Sequence, residues 1–246
     1  MLVYEILTSC LFGAIFGSFS TFLGYRLFNQ DSSVKLTGKH SMCCNCKHKL
    51  AILDLIPVLS FIFLKGKCRY CKQPIPVWHF LAEITMIYCF SFATYYFNGI
   101  NAKSTLMFLI CFCLTTQAII DIRVMYSSDI LHIITLFATS YLSILLGYSV
   151  IHIAIMILST LILFIFLAFI MKFILKKECI GFGDIKLFFV LSPLFTVEKL
   201  PILFGICGFV GIIFYLLLIK IKQIEKRKQF PYIPVIFFSF LLAFYF

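Results

Sequence analysis

Two aspartates carry the clearest chemical signal in this chain: Asp121 in QAIIDIRVMYSSDIL and Asp184 in GFGDIK. Both stand at the ends of long apolar runs in a sequence that is 62% hydrophobic and has ten acidic residues among 246. An ionisable group so placed is costly and is a functional candidate by default. Gly181 and Gly183 precede Asp184, and without side chains they leave room for close backbone approach by an extended substrate. Asp184 falls at the amino end of a helix predicted from Ile185, where the helix dipole favours a carboxylate. A capping aspartate after a glycine turn accounts for that pattern equally well. Asp121 has no such account. It ends the helix predicted over 104–120, where the dipole disfavours a carboxylate, so it needs a partner across the bundle. Should it meet Asp184, like-charge repulsion raises one pKa and leaves an acid and a base sharing a proton. Such a pair activates water against a peptide carbonyl and protonates the departing group, with no metal required. Asp129 is placed to cap the following helix, and capping is its expected role.

A second constellation lies in the polar insert 29–77. Cys43-x2-Cys46 and Cys68-x2-Cys71 are CxxC knuckles separated by 21 residues. That spacing predicts a four-thiolate zinc site, with Cys43, Cys46, Cys68 and Cys71 as ligands. Four thiolates leave no open position, so the zinc would be structural. Lys47, Lys49, Lys67, Arg69 and Lys72 flank the knuckles and offset the negative charge of the centre. Two disulfides or free thiols are the alternatives, and a reducing cytoplasm disfavours the former. Cys44 is a competing ligand, and His40 and His48 are substitutes. Between the knuckles, LAILDLIPVLSFIFLKG is apolar but broken by Pro57; it is expected to lie on the membrane or pack under the zinc module. Cys10, Cys89, Cys111, Cys113, Cys179 and Cys207 sit in or beside apolar helices, where cysteine acts as a small hydrophobe.

The elements that must hold these residues are membrane helices. A spanning helix needs about 20 apolar residues, and the expected fold is an all-α polytopic membrane protein of about eight spans. The runs are 3–28, 78–97, 104–120, 130–148, 151–171, 185–197, 200–219 and 232–246, with 185–197 short enough to be re-entrant. The first run has Glu5 near its start, is too long for a signal h-region, and lacks a small-residue cleavage site. If the insert 29–77 is cytoplasmic and the helices alternate, 19 of the 21 basic residues face inward, leaving Lys103 and Lys199 outside. That asymmetry follows the positive-inside rule and favours a full crossing by 185–197. It places Asp121 and Asp184 together at the cytoplasmic face. The net charge of +11 is thereby topological: spread over four loops, it suits anionic lipid and argues against a nucleic-acid partner.

These motifs together resemble the bacterial type IV prepilin peptidase family, including its competence-pseudopilin branch. The likeness runs through GAIFGSFSTFLGYRL, the CCNC…DLIPVLSFIFLKGKCRYCKQPI loop, WHFLAE with Glu83, the Asp121–Asp129 stretch, GFGDIK, and a degenerate FPYIP before the last helix. Ser128 and Cys44 depart from it, standing where the family carries proline.

The resemblance implies that Asp121 and Asp184 are a catalytic pair of GxGD aspartyl proteases. It implies prepilin or pseudopilin substrates, cut after a glycine at the cytoplasmic edge of the plasma membrane. It also implies N-methylation of the new terminus with S-adenosylmethionine, by a part comprising 1–100, beside a peptidase domain over 101–246. No glycine-rich nucleotide fingerprint is visible, and Gly17, Ser18 and Glu83 read equally well as helix-packing residues.

Two other classes compete. A non-enzymatic membrane assembly protein would use the zinc loop for docking and the aspartates as caps or lysine partners. A transporter would place acidic residues near mid-membrane, whereas these map to helix ends.

Overall fold

The chain was described from a computed structural model, covering residues 2–27, 41–43, 45–175, 181–220 and 230–245. The described residues are helical apart from turns and two isolated bridges. Nine α-helices follow one another among them: α1 (Leu2–Leu27), α2 (Leu59–Phe63), α3 (Val77–Tyr96), α4 (Ala102–Val124), α5 (Asp129–Leu145), α6 (Val150–Leu175), α7 (Phe182–Leu191), α8 (Leu200–Lys220) and α9 (Ile233–Tyr245). Each apolar run of the sequence has become a helix. Five of them, α1, α3, α4, α6 and α8, are long and apolar enough to cross a membrane. The other three are shorter. With a rise of about 1.5 Å per residue, α5 with its 17 residues, α9 with 13 and α7 with 10 fall short of a bilayer core. Pro193 stands just beyond α7, where a single 3-10 turn over Ser192–Leu194 ends that run.

The chain divides into two compact units, Met1–Ile119 and Ile120–Phe246. In the first, α1 and α3 run antiparallel at very short range. A Cβ on Gly13 would meet the Ile87 Cα at 2.7 Å, and one on Gly17 would meet the Glu83 Cα at 2.5 Å. Only glycine permits that approach, and small residues at four-residue spacing are how membrane helices gain packing and hydrogen bonds without a hydrophobic drive. Ser9 and Thr94 exploit it with a buried hydroxyl pair 2.7 Å apart. Helix α4 closes the unit through aromatic contacts, Phe90 stacking on Phe108 with centroids 4.2 Å apart and Phe16 edge-on to Phe108 at 5.0 Å. Of the two placements expected for the apolar insert between the knuckles, the structure shows the one packed on the cysteine module. It forms a 3-10 turn (Ile52–Leu55) and α2. Asp54 ties it to the second knuckle through Arg69 at 2.8 Å and the Tyr70 hydroxyl at 3.2 Å. Ile52, Leu53 and Phe63 are left exposed.

In the second unit, hydroxyls on α5 reach the carbonyls at the end of α7. Thr139 donates to the Val190 carbonyl at 2.7 Å, and Ser143 to that of Pro193 at 2.6 Å. Phe188 of α7 packs between Phe164 of α6 and Phe204 of α8. Tyr232, just before α9, lies against Gly211 and donates to the Cys207 carbonyl at 3.3 Å.

The α1–α3 contact makes a direct prediction. Gly17→Leu forces the two backbones apart, an overpacking cost of about 1–3 kcal/mol or more. It should lower the unfolding temperature of the detergent-solubilised protein by several degrees, while Ile15→Leu on the exposed face leaves it unchanged.

Candidate active site and metal centre

Asp121 lies in the last turn of α4, which continues to Val124, four residues beyond the expected end. Its carboxylate is buried, with 8% of the residue exposed. The partner it needs is the start of α9. Oδ2 accepts from the Ile233 amide at 3.0 Å, and the Tyr232 amide donates to the same carboxylate. The first amides of a helix have no intrahelical acceptor, so the carboxylate satisfies them and meets the positive end of the α9 dipole. The unfavourable end of one helix is offset by the favourable end of another.

Asp184 sits three residues after Gly181, the N-cap of α7. The Gly181 amide donates back to its carboxylate, the return half of a capping box. Gly183 packs closely for a different reason: a Cβ there would lie 2.5 Å from Ser127 Oγ. The first turn of α7 is therefore pressed against the loop that joins α4 to α5. The Asp121 and Asp184 carboxyls are within electrostatic reach of each other, and Asp184 is likewise within reach of the Tyr232 phenol. Two carboxylates, each at a helix amino terminus, thus converge within one unit.

Asp129 does not cap α5. Ser128 occupies the N-cap position, without a side-chain cap bond, and Asp129 is the first helical residue. Its carboxylate instead takes Lys186 of α7 at 2.6 Å, in an exposed ion pair. The reason is geometric: α5 packs along α7, and Lys186 rises from the first turn of α7 beside the start of α5. Sequence reading missed Lys186, Ser127 and the 232–233 amides. It also missed His132, one turn beyond Asp129, buried with neither ring nitrogen hydrogen-bonded among the described residues. The DILH spacing is the signal that was available for it.

The four predicted thiol ligands come together. Single sulfur atoms of Cys43, Cys46, Cys68 and Cys71 lie within 4.8 Å of one another. The Cys43 and Cys71 sulfurs are 3.9 Å apart, against the roughly 3.8 Å that tetrahedral zinc–thiolate bonds of about 2.3 Å demand.

The two knuckles are built alike. The Cys43 amide donates to the His48 carbonyl at 2.9 Å and the Lys47 amide returns to Cys43 at 3.0 Å. The Cys68 amide donates to Gln73 at 2.8 Å and Lys72 returns to Cys68 at 3.0 Å. Lys47 and Lys72 both adopt positive φ, 57° and 59°. In each knuckle the leading sulfur faces two amides: those of Cys46 and Asn45 at Cys43, and of Cys71 and Tyr70 at Cys68. Amides aimed at sulfur favour the thiolate. The hydrogen bond from Cys71 leads in drawing Cys68 down to about 7, whereas burial pushes Cys43 up to about 11. The cluster fits a tetrahedrally bound metal ion. His48 lies against the Tyr70 ring, tilted by 34° with centroids 3.7 Å apart, and is not part of the cluster. Cys44 and His40 lie outside the described residues.

The description "Bacterial Peptidase A24 N-terminal domain" matches residues 11–97, and "Type IV leader peptidase family" matches residues 107–216. The chain is similar to a prepilin leader peptidase/N-methyltransferase of Vibrio cholerae serotype O1, with 27% identity over 251 residues, covering 99% of this chain and 97% of that protein. A protein of the same name from Bacillus subtilis is 28% identical, covering 95% and 91% of the two chains. Another from Aeromonas hydrophila is 27% identical, covering 91% and 84%. No solved structure matches. With two matched regions that take in both the knuckles and the paired aspartates, the chain belongs to the type IV leader peptidase family.

Proposed function

We propose that this protein is a membrane aspartyl endopeptidase that removes the leader of type IV prepilins or pseudopilins and N-methylates the terminus it exposes. The observation that carries the proteolytic part is the convergence of Asp121 and Asp184, each held by helix-terminal amides. Removed from water and within electrostatic reach of one another, the pair would hold one proton between them. The ionised partner draws a proton from water as it attacks the scissile carbonyl, and the protonated partner delivers one to the leaving amine. An extended leader reaches the carboxylates beside Gly181, where a Cβ would crowd Asp184 Oδ2 at 3.0 Å; the open side of Gly183 is taken by Ser127.

All eight apolar helices sit in the bacterial plasma membrane on this reading, with the aspartates at the cytoplasmic face in accord with lysine and arginine placement. Residues 1–100 serve methyl transfer and 101–246 proteolysis. The cysteine cluster takes structural zinc, closed to substrate by its four thiolates. S-adenosylmethionine supplies the methyl group when bound.

The alternative, a membrane assembly protein in which the aspartates are only caps, rests on the α9 contact of Asp121. Asparagine separates the two readings, because its side-chain oxygen can still accept a helix-terminal amide while its charge is gone. Asp121→Asn and Asp184→Asn should each cut cleavage of a co-expressed prepilin by about 10²-fold or more, the scale of general acid–base catalysis, with helical content unchanged. Mass spectrometry of the prepilin amino terminus reads the result. Wild-type cleavage rates in both variants would sink the proteolytic assignment.

Asp129→Asn loses an exposed ion pair, which contributes little. Cleavage should stay within about tenfold of wild type; a loss as deep as that of Asp121→Asn would move Asp129 into the catalytic pair.

Cys43→Ser and Cys71→Ser should release the metal and loosen the loop, harming methylation more than proteolysis. Protons compete with metal for thiolates, so zinc content should also fall on acidification of the wild type. One zinc per chain retained in both variants, by elemental analysis, would refute the four-thiolate site.

A further inference from the structure

The first unit contains a cavity of about 330 Å³ between the cysteine knuckles and the facing ends of α1 and α3, within the size range of small-molecule sites. Its walls differ in kind. Cys43 and Cys68, two of the clustered thiols, border one side, so the metal module braces it. Phe61 and Phe80, stacked on each other with centroids 4.7 Å apart, form an apolar wall. Arg69, paired with Asp54, borders another part.

Ser18 and Glu83 line it from the membrane-helix side. Glu83 is 9% exposed. Its Oε2 accepts from the Val58 amide at 2.6 Å, and the Ser18 hydroxyl also donates to the carboxylate. This arrangement is costly in two ways. Val58 must adopt φ of +63°, a conformation that a β-branched residue almost never takes and that clusters at ligand sites when it persists. Gly17 must stay without a side chain so that α1 can approach the Glu83 Cα and bring Ser18 to the carboxylate. Two donors fix the position of the carboxylate. A carboxylate so held in a largely apolar cavity is a seat for a cationic ligand, whose charge would in turn favour its ionised form.

We propose that this cavity binds S-adenosylmethionine, with Glu83 holding the cationic end of the donor, Phe61 and Phe80 packing on its purine, and Arg69 near its carboxylate. The proposal rests on the methyl-transfer reading above and assigns it a site. The donor is itself built as the cavity is: an aromatic base at one end, and a sulfonium, an ammonium and a carboxylate at the other. Purines pack on aromatic walls, and cations are drawn to a desolvated carboxylate and to ring faces. The assignment also explains why the metal should matter more to methylation than to proteolysis, since two of its ligands border the cavity.

The test uses the purified full chain in detergent with S-adenosylmethionine itself. Equilibrium dialysis with the radiolabelled compound measures affinity. Ultraviolet cross-linking followed by peptide mapping locates it without any substitution. Trp78, the sole tryptophan, lies between the cavity-lining Pro76 and His79 and gives a fluorescence readout. Saturable binding, a cross-link within residues 42–83, and at least tenfold weaker binding by Glu83→Gln and by Phe80→Ala would establish the site, given unchanged circular dichroism of the variants. Wild-type binding with a cross-link elsewhere, and with both variants binding normally, would overturn the site while leaving methyl transfer standing. Failure of the wild type both to bind the donor and to methylate a prepilin that it cleaves would overturn the methyl-transfer reading, and the site with it.

Discussion

A carboxylate taken out of water must find donors or give up its charge, and the second unit is arranged around meeting that demand at Asp121. The residue sits in the last turn of α4, the wrong end of a helix for an anion, and it is buried. What makes the position tenable is α9, whose first amides come to Asp121 just as Tyr232 packs into the space beside Gly211. The FPYIP segment therefore acts through its backbone. It turns the chain so that Tyr232 and Ile233 point their N–H groups at Asp121, with Pro234 in the first turn of α9, where its missing N–H leaves no bond unmade. Asp184 meets the same demand locally, through the cap of its own helix. Both carboxylates are met by helix amino termini, and they lie within electrostatic reach of each other.

The first unit answers a different constraint. Its helices gain nothing hydrophobic from contact within lipid, so α1 and α3 associate through glycine and hydroxyl surfaces that let their backbones touch. The closeness has a consequence beyond stability. Only where Gly17 removes a side chain can Ser18 reach the Glu83 carboxylate, and only because that carboxylate is fixed can it hold Val58 in its strained turn. The knuckles meet the polar end of this helix pair through the 3-10 turn and α2, anchored by Asp54. Packing, metal module and cavity are thus consecutive parts of one structure within the unit.

Much of this was legible in the sequence because the strongest signals were local. Eight apolar runs became helices, since length and composition decide helix formation in an apolar setting without reference to neighbours. The CxxC spacing announced the clustered thiols for the same reason: two sulfurs on one turn are set by local geometry. What stayed hidden depends on contacts between segments far apart in sequence. The acceptor role of Asp121 toward α9 spans 112 residues, and the Lys186 partner of Asp129 spans 57. Asp129 looked like a cap because it precedes an apolar run, but Ser128 took that position and freed its side chain for Lys186. Helices α5 and α7 end before their apolar runs do for a related reason, since apolar residues continue through the turns that end them.

The repeated form of the two knuckles bears on how the metal centre relates to folding. Each is a closed turn that holds a lysine, Lys47 or Lys72, at positive φ, where most side chains are strained. Neither turn buries enough apolar surface to offset that strain alone: Cys46 is exposed, and so are Ile52 and Leu53 between them. The energy has to come from elsewhere. Binding one ion with four thiolates couples both strained turns to a single favourable event, and that event joins segments separated by 21 residues of chain. Because Cys43 and Cys68 border the cavity, an ion held by the four thiolates would also fix the position of one cavity wall.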